Sequence, residues 1–485
     1  MKIVVKLFHE IIIKSRPVRK LFTKQLHYNL ENLLKPLLKE VRVYRHWDRI
    51  DITLPDDISE EVWLVIKERL QCVPGIDFLL VVDTYNFEQL NDITDRCVET
   101  YTDGLKGKSF CVRVKRKGKH SFTSSEAERQ IGGGLLARTD VEKVMLKDPD
   151  VQINLEINND QVDLVRTKLP GLGGYPLGQQ EATLSLISGG FDSGVASFLM
   201  MRRGVKTHFC FFNLGGMAHE IGVKQVAYYL WSKYGASHKV KFISVPFEGV
   251  VEQILTTIDN SLMGVVLKRM MMRAADKVAQ DLALDTLVTG EAIGQVSSQT
   301  LTNLSVIEQA AESLVMRPLI AMDKQDIIAQ SKRIGTEEFA ANMPEYCGVI
   351  SNKPSTKVKL TKVLESEQNF DFTVLEKAVE DKQLVSIEKV LDGLDTDTDV
   401  DTVKIPQVND VVIDIRHPEE QEANPLVLTN NQVVKIPFYS ISSRFSELNA
   451  ENNYLLYCDK GVMSKVQAHH LKLQGFQNVK VLRYS

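Results

Sequence analysis

Residues 183–345 alternate short apolar runs (TLSLIS, THFCFFNL, VKFISVPF, DTLVTG) with helical stretches such as VKQVAYYLWSKYG and VVLKRMMMRAADKVAQDLAL. That alternation predicts a parallel sheet joined by crossover helices, an α/β fold. Its sharpest point is LSLISGGFDSGVASFLMMRRG, residues 184–204, where a strand runs into Ser188-Gly189-Gly190-Phe191-Asp192-Ser193 and then a helix. Glycines let backbone approach a ligand closely, and a helix start offers unpaired N–H groups to an anion. The Walker pattern GxxxxGK[ST] needs a lysine that this loop lacks. A loop that binds pyrophosphate without gripping a γ-phosphate suits cleavage between the α- and β-phosphates, that is, adenylation. An ordinary capped strand-to-helix turn is the plainer alternative.

At 485 residues the chain calls for roughly three or four domains. Hydrophobic content of 44% and charged content of 25% fit a soluble globular protein. No stretch nears the ~20 apolar residues of a membrane helix. The opening MKIVVKLFHEIIIKS carries Glu10 and no small-residue cleavage site, so no signal peptide is expected. Six cysteines without a CxxC pair argue against a zinc ribbon or disulfide framework and predict a reducing cytoplasm.

Net charge is −4, but nine Lys/Arg stand against four acids in residues 101–140. KGKSFCVRVKRKGKHSF, residues 106–122, interleaves basic and apolar side chains on an expected strand. Lys106, Lys108, Arg113, Lys115, Arg116, Lys117 and Lys119 could meet a phosphate backbone or simply protect a solvated edge. Lys14, Arg16 and Arg19 could extend that surface. Elsewhere the reading is strand, a long amphipathic stretch from Arg16 to Lys39 and strand over residues 1–60, then α+β modules over 61–168. VQINLEINNDQVDLV reads as strand. The parallel-sheet domain spans 176–390, LDGLDTDTDVDTV (391–403) forms an acidic linker, and a smaller α/β domain fills 404–485.

In that last domain YLLYCDKGVMSK places Cys458 at the exit of a strand, before a tight loop and a helix. Backbone N–H groups in such a loop favour a thiolate and could equally hold a persulfide. A tyrosine-phosphatase loop needs Arg six residues after its Cys. Here Ser464 stands there, which disfavours that chemistry. A small buried cysteine is the bland reading for Cys347 in PEYCG. Cys72, Cys97, Cys111 and Cys210 lie in apolar or strand contexts and read as structural.

SGGFDS resembles the PP-loop ATP pyrophosphatases. With LVTGEAIGQVSSQTLTNL (287–304), RPLIAMDKQDII (317–328) and MPEYCGVISNKPST (343–356), the chain resembles the tRNA 4-thiouridine synthases, or thiamine-biosynthesis sulfurtransferases, over essentially its whole length. The resemblance implies a ferredoxin-like module, a THUMP domain, the PP-loop domain and a rhodanese domain. For the last, Asp414, Arg416 and Glu420 match DxRxxxE. It places ATP at Leu186, Ile187, Ser188, Gly189, Gly190, Ser193, Lys268, Gly290 and Gln299, with Asp192 and Lys324 assisting adenylation. Asp192 could hold Mg²⁺ against the phosphates; no other metal is implied. The basic strand would bind the tRNA acceptor end by shape. Cys458 would carry persulfide sulfur from a cysteine desulfurase, and Cys347 would resolve it as a disulfide. Asp459, where many rhodaneses have Arg, puts thiosulfate in doubt as the donor. A thiamine sulfur-carrier protein is a further implied partner, and a homodimer is compatible with the family. Two alternatives stay open: another PP-loop tRNA-modifying enzyme, or a non-catalytic sulfur relay.

Overall fold

The computed structural model describes residues 1–214, 216–341, 354–392, 400–416, 421, 424–436, 441–458 and 462–483. The chain divides into two compact units, residues 1–58 with 75–175, and residues 59–74 with 176–485.

The first unit is built on one eight-stranded sheet. Its strands are β1 (Lys2–Leu7), β2 (Arg42–Arg45), β3 (Arg49–Thr53), β4 (Ile76–Asn86), β5 (Ser109–Lys117), β6 (Lys143–Val144), β7 (Val151–Asn158) and β8 (Gln161–Gly173), in the order β2-β3-β1-β4-β8-β7-β5-β6. Strand β4 pairs with β1 on one side and β8 on the other. The two N-terminal modules expected as 1–60 and 61–168 therefore share one continuous sheet. The helix Glu60–Gln71 departs from that boundary and belongs to the second unit, where Glu68 and Cys72 act electrostatically on Tyr229 and Lys233.

Two runs read as single strands are hairpins. VRVYRHWDRIDITL turns at His46–Asp48, and VQINLEINNDQVDLV turns at Asn159, whose φ of 54° lies in the left-handed region that Asn tolerates. The helix from Arg16 stops at Leu34, short of Lys39. Helices Leu90–Leu105 and Ser124–Arg138 cover the β5–β7 half through Phe110, Val112, Ile153 and Leu155. Each such side chain contributes about 1.5–3 kcal/mol by leaving water.

The second unit holds two sheets. The larger has the order β13-β12-β9-β10-β11-β14, with β9 (Gln180–Leu186), β10 (Val205–Asn213), β11 (Lys241–Pro246), β12 (Thr286–Val288), β13 (Leu314–Met316) and β14 (Gln383–Ser386). All pair in parallel except β14, which closes the β11 edge antiparallel. Chain order reverses at β9, which lies between β10 and β12. The carboxyl end of β9 is thus the switch-point crevice where such sheets take ligands. Behind it, Arg269 and Glu367 form a buried bidentate pair (2.5 and 3.1 Å) that locks helix Met263–Asp281 to helix Leu360–Glu367.

The smaller sheet is parallel throughout, β15-β19-β18-β16-β17, with β15 (Thr402–Val403), β16 (Val411–Asp414), β17 (Val433–Lys435), β18 (Tyr454–Tyr457) and β19 (Val479–Leu482). Thr402 and Val403, expected in the linker, are its edge strand because they pair with Val481 and Leu482. Residues 393–399 of that linker lie outside the described residues. Among the described residues no helix is long and apolar enough to cross a membrane.

Candidate active site

The loop after β9 is shaped by its own serines and one histidine. Ser188 N donates to Ser193 Oγ at 3.1 Å, and the two hydroxyls are 3.2 Å apart. Gly189 takes φ +83°, a conformation a side chain would strain. His219 Nε2 lies 3.1 Å from the Ser188 carbonyl. A carbonyl can only accept, so Nε2 carries the proton. Burial holds the His219 pKa below its ordinary value, against the opposing pull of that carbonyl. Leu186 and Ile187 end the strand; the Ile187 side chain is buried and its N–H is spent on Cys210 O, so neither offers a polar side chain. The helix Phe191–Arg202 starts at Gly190 with no side-chain cap, leaving its first N–H groups for a ligand.

Asp192, on the first turn of that helix, meets Lys324 at the start of helix Lys324–Ile334. Lys324 Nζ donates to both carboxylate oxygens at 2.9 and 3.0 Å, and Gln295 Nε2 adds a third bond at 2.9 Å. Two residues 132 positions apart thus share one ion pair at the phosphate loop. Gly290 packs on the same turn. A Cβ there would come within 2.7 Å of Asp192 C and Ser193 N, so a glycine is required by backbone approach, whatever else it contacts.

Next to Gly290, Glu291 is buried and binds Lys268 Nζ (3.3 Å), Arg317 Nε (2.9 Å) and Thr289 Oγ1 (3.1 Å). Burial works to raise the Glu291 pKa, but Lys268 and Arg317 outweigh it and hold the carboxyl below the usual range. Arg317 also pairs with Glu308. Gln299 is buried, and its Oε1 meets no partner among the described residues, an acceptor suited to an amino group. Lys268 and Asp192 are therefore connected through Glu291 and Gly290.

The Glu291 pair carries a pH prediction. A carboxyl whose folded pKa is lowered stabilises the fold above its unfolded value, and that stability is lost as pH falls through the folded pKa. Glu291→Gln removes the carboxylate that Lys268 and Arg317 share, although Arg317 keeps Glu308, and is expected to cost about 2 kcal/mol near pH 7. The gap to the parent protein should narrow as pH falls below the ordinary carboxylate range, read as melting temperature against pH. A gap that stays constant to pH 3 would contradict the assignment.

At the end of β18, Cys458 is 8% exposed, and Ser464 N and Oγ both lie 3.3 Å from its Sγ. Ser464, read from sequence only as a reason to reject a phosphatase, is turned onto the sulfur. Asp414 and Arg416 form a buried bidentate pair (2.9 and 2.7 Å) beside β18, with Arg416 5.1 Å from the Tyr457 ring. The pair braces the end of β16 against Tyr457, the residue before Cys458. Glu420 and Cys347 lie outside the described residues. Cys97 and Cys210 are buried thiols pushed up to about 12, inert as nucleophiles. Cys111 is buried and Cys72 half-buried.

The basic strand β5 does not form one patch. Lys106 and Lys108 precede it, while Lys115, Lys117 and Lys119 cluster at its far end, roughly 30 Å away at ~3.3 Å per residue. Arg113 is tied to Leu146 O (2.8 Å) and Arg116 to His120 (3.0 Å). Lys14 leans over Tyr175, Arg19 over Trp47, and Arg16 opens its helix.

Residues 178–372 match the family described as Thiamine biosynthesis protein (ThiI), residues 84–165 the THUMP domain and residues 2–79 the ThiI ferredoxin-like domain. Curated relatives named tRNA sulfurtransferase, from Shewanella piezotolerans and Shewanella pealeana, are 53% and 54% identical over 100% of both chains. Among solved structures, a 4-thiouridine synthetase in complex with RNA and ATP superposes with TM-score 0.70, 22% identity, 80% of this chain and 99% of the other. A Pyrococcus horikoshii protein gives TM-score 0.54 at 20% identity over 69% of this chain and all of its own. At full-length coverage and more than half of its residues identical, this chain belongs to the tRNA sulfurtransferase family.

Proposed function

We propose that the chain moves persulfide sulfur onto tRNA with ATP, forming 4-thiouridine at position 8 through an adenylated uridine. The observation that carries this reading is the Asp192–Lys324 pair set on a lysine-free phosphate loop. The fold shared with an RNA- and ATP-bound synthetase supports the ligands. The adenine amino group suits the buried Gln299 Oε1, and the phosphates suit the Ser188–Ser193 backbone. Magnesium entering with the phosphates would take Asp192 as a carboxylate ligand. It would supply charge neutralisation there.

Lys324, held in place by Asp192, stabilises charge on the phosphates as uridine O4 attacks the α-phosphorus and pyrophosphate leaves. The O4 oxygen then departs within AMP. In the C-terminal, rhodanese-like part, a cysteine desulfurase charges Cys458 as Cys–S–SH, and the terminal sulfur displaces AMP at C4. The Cys347 thiolate cleaves the resulting S–S bond, leaving thiouridine and a 347–458 disulfide; alternatively, closing that disulfide releases sulfide as the nucleophile. A two-electron thiol reductant, as found in a reducing cytoplasm, restores both thiols. The same persulfide could serve a thiamine sulfur-carrier protein. RNA lies on the basic end of β5.

Radiolabelled-sulfur transfer to tRNA, with ATP, desulfurase and cysteine, tests the scheme. Asp192→Ala and Cys458→Ser should each abolish labelling. Labelling that survives Cys458→Ser under limiting sulfide points to another PP-loop chemistry, and labelling that survives Asp192→Ala points to a plain relay. Non-reducing mass spectrometry after one turnover should find the 347–458 bridge; full product without it rules out the disulfide step.

A further inference from the structure

The tip of the β2–β3 hairpin exposes an aromatic ring where burial would be expected. His46 N donates to Arg49 O at 2.9 Å to close the turn, and Trp47 on that turn is 61% exposed. A tryptophan in water forgoes much of its hydrophobic gain. Its recorded ring neighbours are cations: the Arg19 guanidinium carbon at 5.2 Å and Lys117 Nζ at 4.9 Å from the centroid. Lys117 Nζ also lies 3.7 Å from Asp48 Oδ2.

From Lys117 a cleft of about 340 Å³ opens, lined in part by Lys6, Arg49, Lys115 and Arg116. Lys6 is neutralised by Glu156 at 2.6 Å and Arg49 by Asp51 at 2.9 Å. Arg116 Nε is buried without a partner among the described residues, and Lys115 and Lys117 are exposed. Asp48 and Asp77 also line the cleft, with Asp48 beside Lys117, so its positive excess near the ring rests on Lys115 and Arg116.

An exposed π-face oriented by two cations beside a basic cleft matches the needs of an unpaired nucleotide, whose base stacks and whose phosphate seeks positive charge. Resting on the RNA reading above, we infer that Trp47 is a stacking platform for one unpaired nucleotide of the tRNA. When the base takes a face of the ring, Arg19 or Lys117 moves from the ring to a flanking phosphate. Bases inside a duplex present no free face, so the site selects a single-stranded segment.

The chain has three tryptophans, so full-length protein labelled with 5-fluorotryptophan gives three fluorine resonances, and Trp47→Phe assigns the one at the hairpin. A tRNA transcript should shift that resonance, whereas a blunt RNA duplex should not. Trp47→Ala should weaken tRNA binding about 5- to 100-fold, the range of one base–aromatic stack. The slope of affinity against salt should stay unchanged, because no charge is lost. A Trp47 resonance that ignores tRNA while the parent protein binds it overturns the platform. A parent protein that binds no tRNA overturns the RNA reading itself.

Discussion

Asp192→Ala is expected to lower AMP-forming turnover about 100- to 1,000-fold, the usual loss when one preorganised electrostatic group leaves a site where charge develops. The melting temperature should barely move. Lys324 is 40% exposed and Asp192 25%, and a pair so open to water contributes about 0–1 kcal/mol. That contrast separates function from scaffold: a residue kept for stability would show the reverse. Lys324→Met should reproduce the defect, and the double variant should be little worse than either single one, since the two groups act as a unit. Pyrophosphate exchange into ATP and thermal melting on the same preparations measure both sides. Losses that multiply in the double variant would mean the residues work separately and that their ion pair is incidental.

The phosphate loop was legible because its signal is local: a strand, two glycines, polar residues and a helix, all within residues 184–204. Its surroundings were not. Gln295, His219, Glu291 and Arg317 come from the β12 and β13 loops and a neighbouring helix, and their meeting is set by strand order. No spacing in the chain encodes that meeting, although a run such as LVTGEAIGQV beyond an apolar strand marks where ligand-facing polar groups could lie. Gly290 stood out, yet the structure gives its requirement a different source, the approach of Asp192 and Ser193. Turns divided in the same way. Asn159-Asp160 carries turn chemistry that a long alternating pattern concealed, whereas His46-Trp47-Asp48 has no Gly, Pro or Asn to announce it. Which unit the helix Glu60–Gln71 joins depends on Tyr229 and Lys233, far away in sequence.

Cys458→Ser should reduce desulfurase-supplied thiolation to background while leaving tRNA-dependent exchange of pyrophosphate into ATP within about twofold, because the thiol takes no part in adenylation. The graded case is Ser464→Ala. Ser464 N–H donates to the sulfur at 3.3 Å, its hydroxyl at 3.3 Å is free to donate once the sulfur is an anion, and the substitution removes only the second. A hydrogen bond to a charged acceptor contributes about 1.5–3 kcal/mol, so a loss of at least about tenfold in the persulfide-dependent rate is expected. The surviving N–H keeps the variant above Cys458→Ser. Ser464 is fully buried, so packing could account for part of any loss. Ser464→Thr and Ser464→Val divide the possibilities, since the two side chains are nearly isosteric and only threonine keeps the donor. Should the rate follow volume and not donor strength, Ser464 is a packing residue and the cradle is its backbone alone. Rates in excess free sulfide provide the final control. They bypass Cys458, and a Ser464→Ala defect that persists there would place the hydroxyl in the fold of the loop, not in the handling of its sulfur.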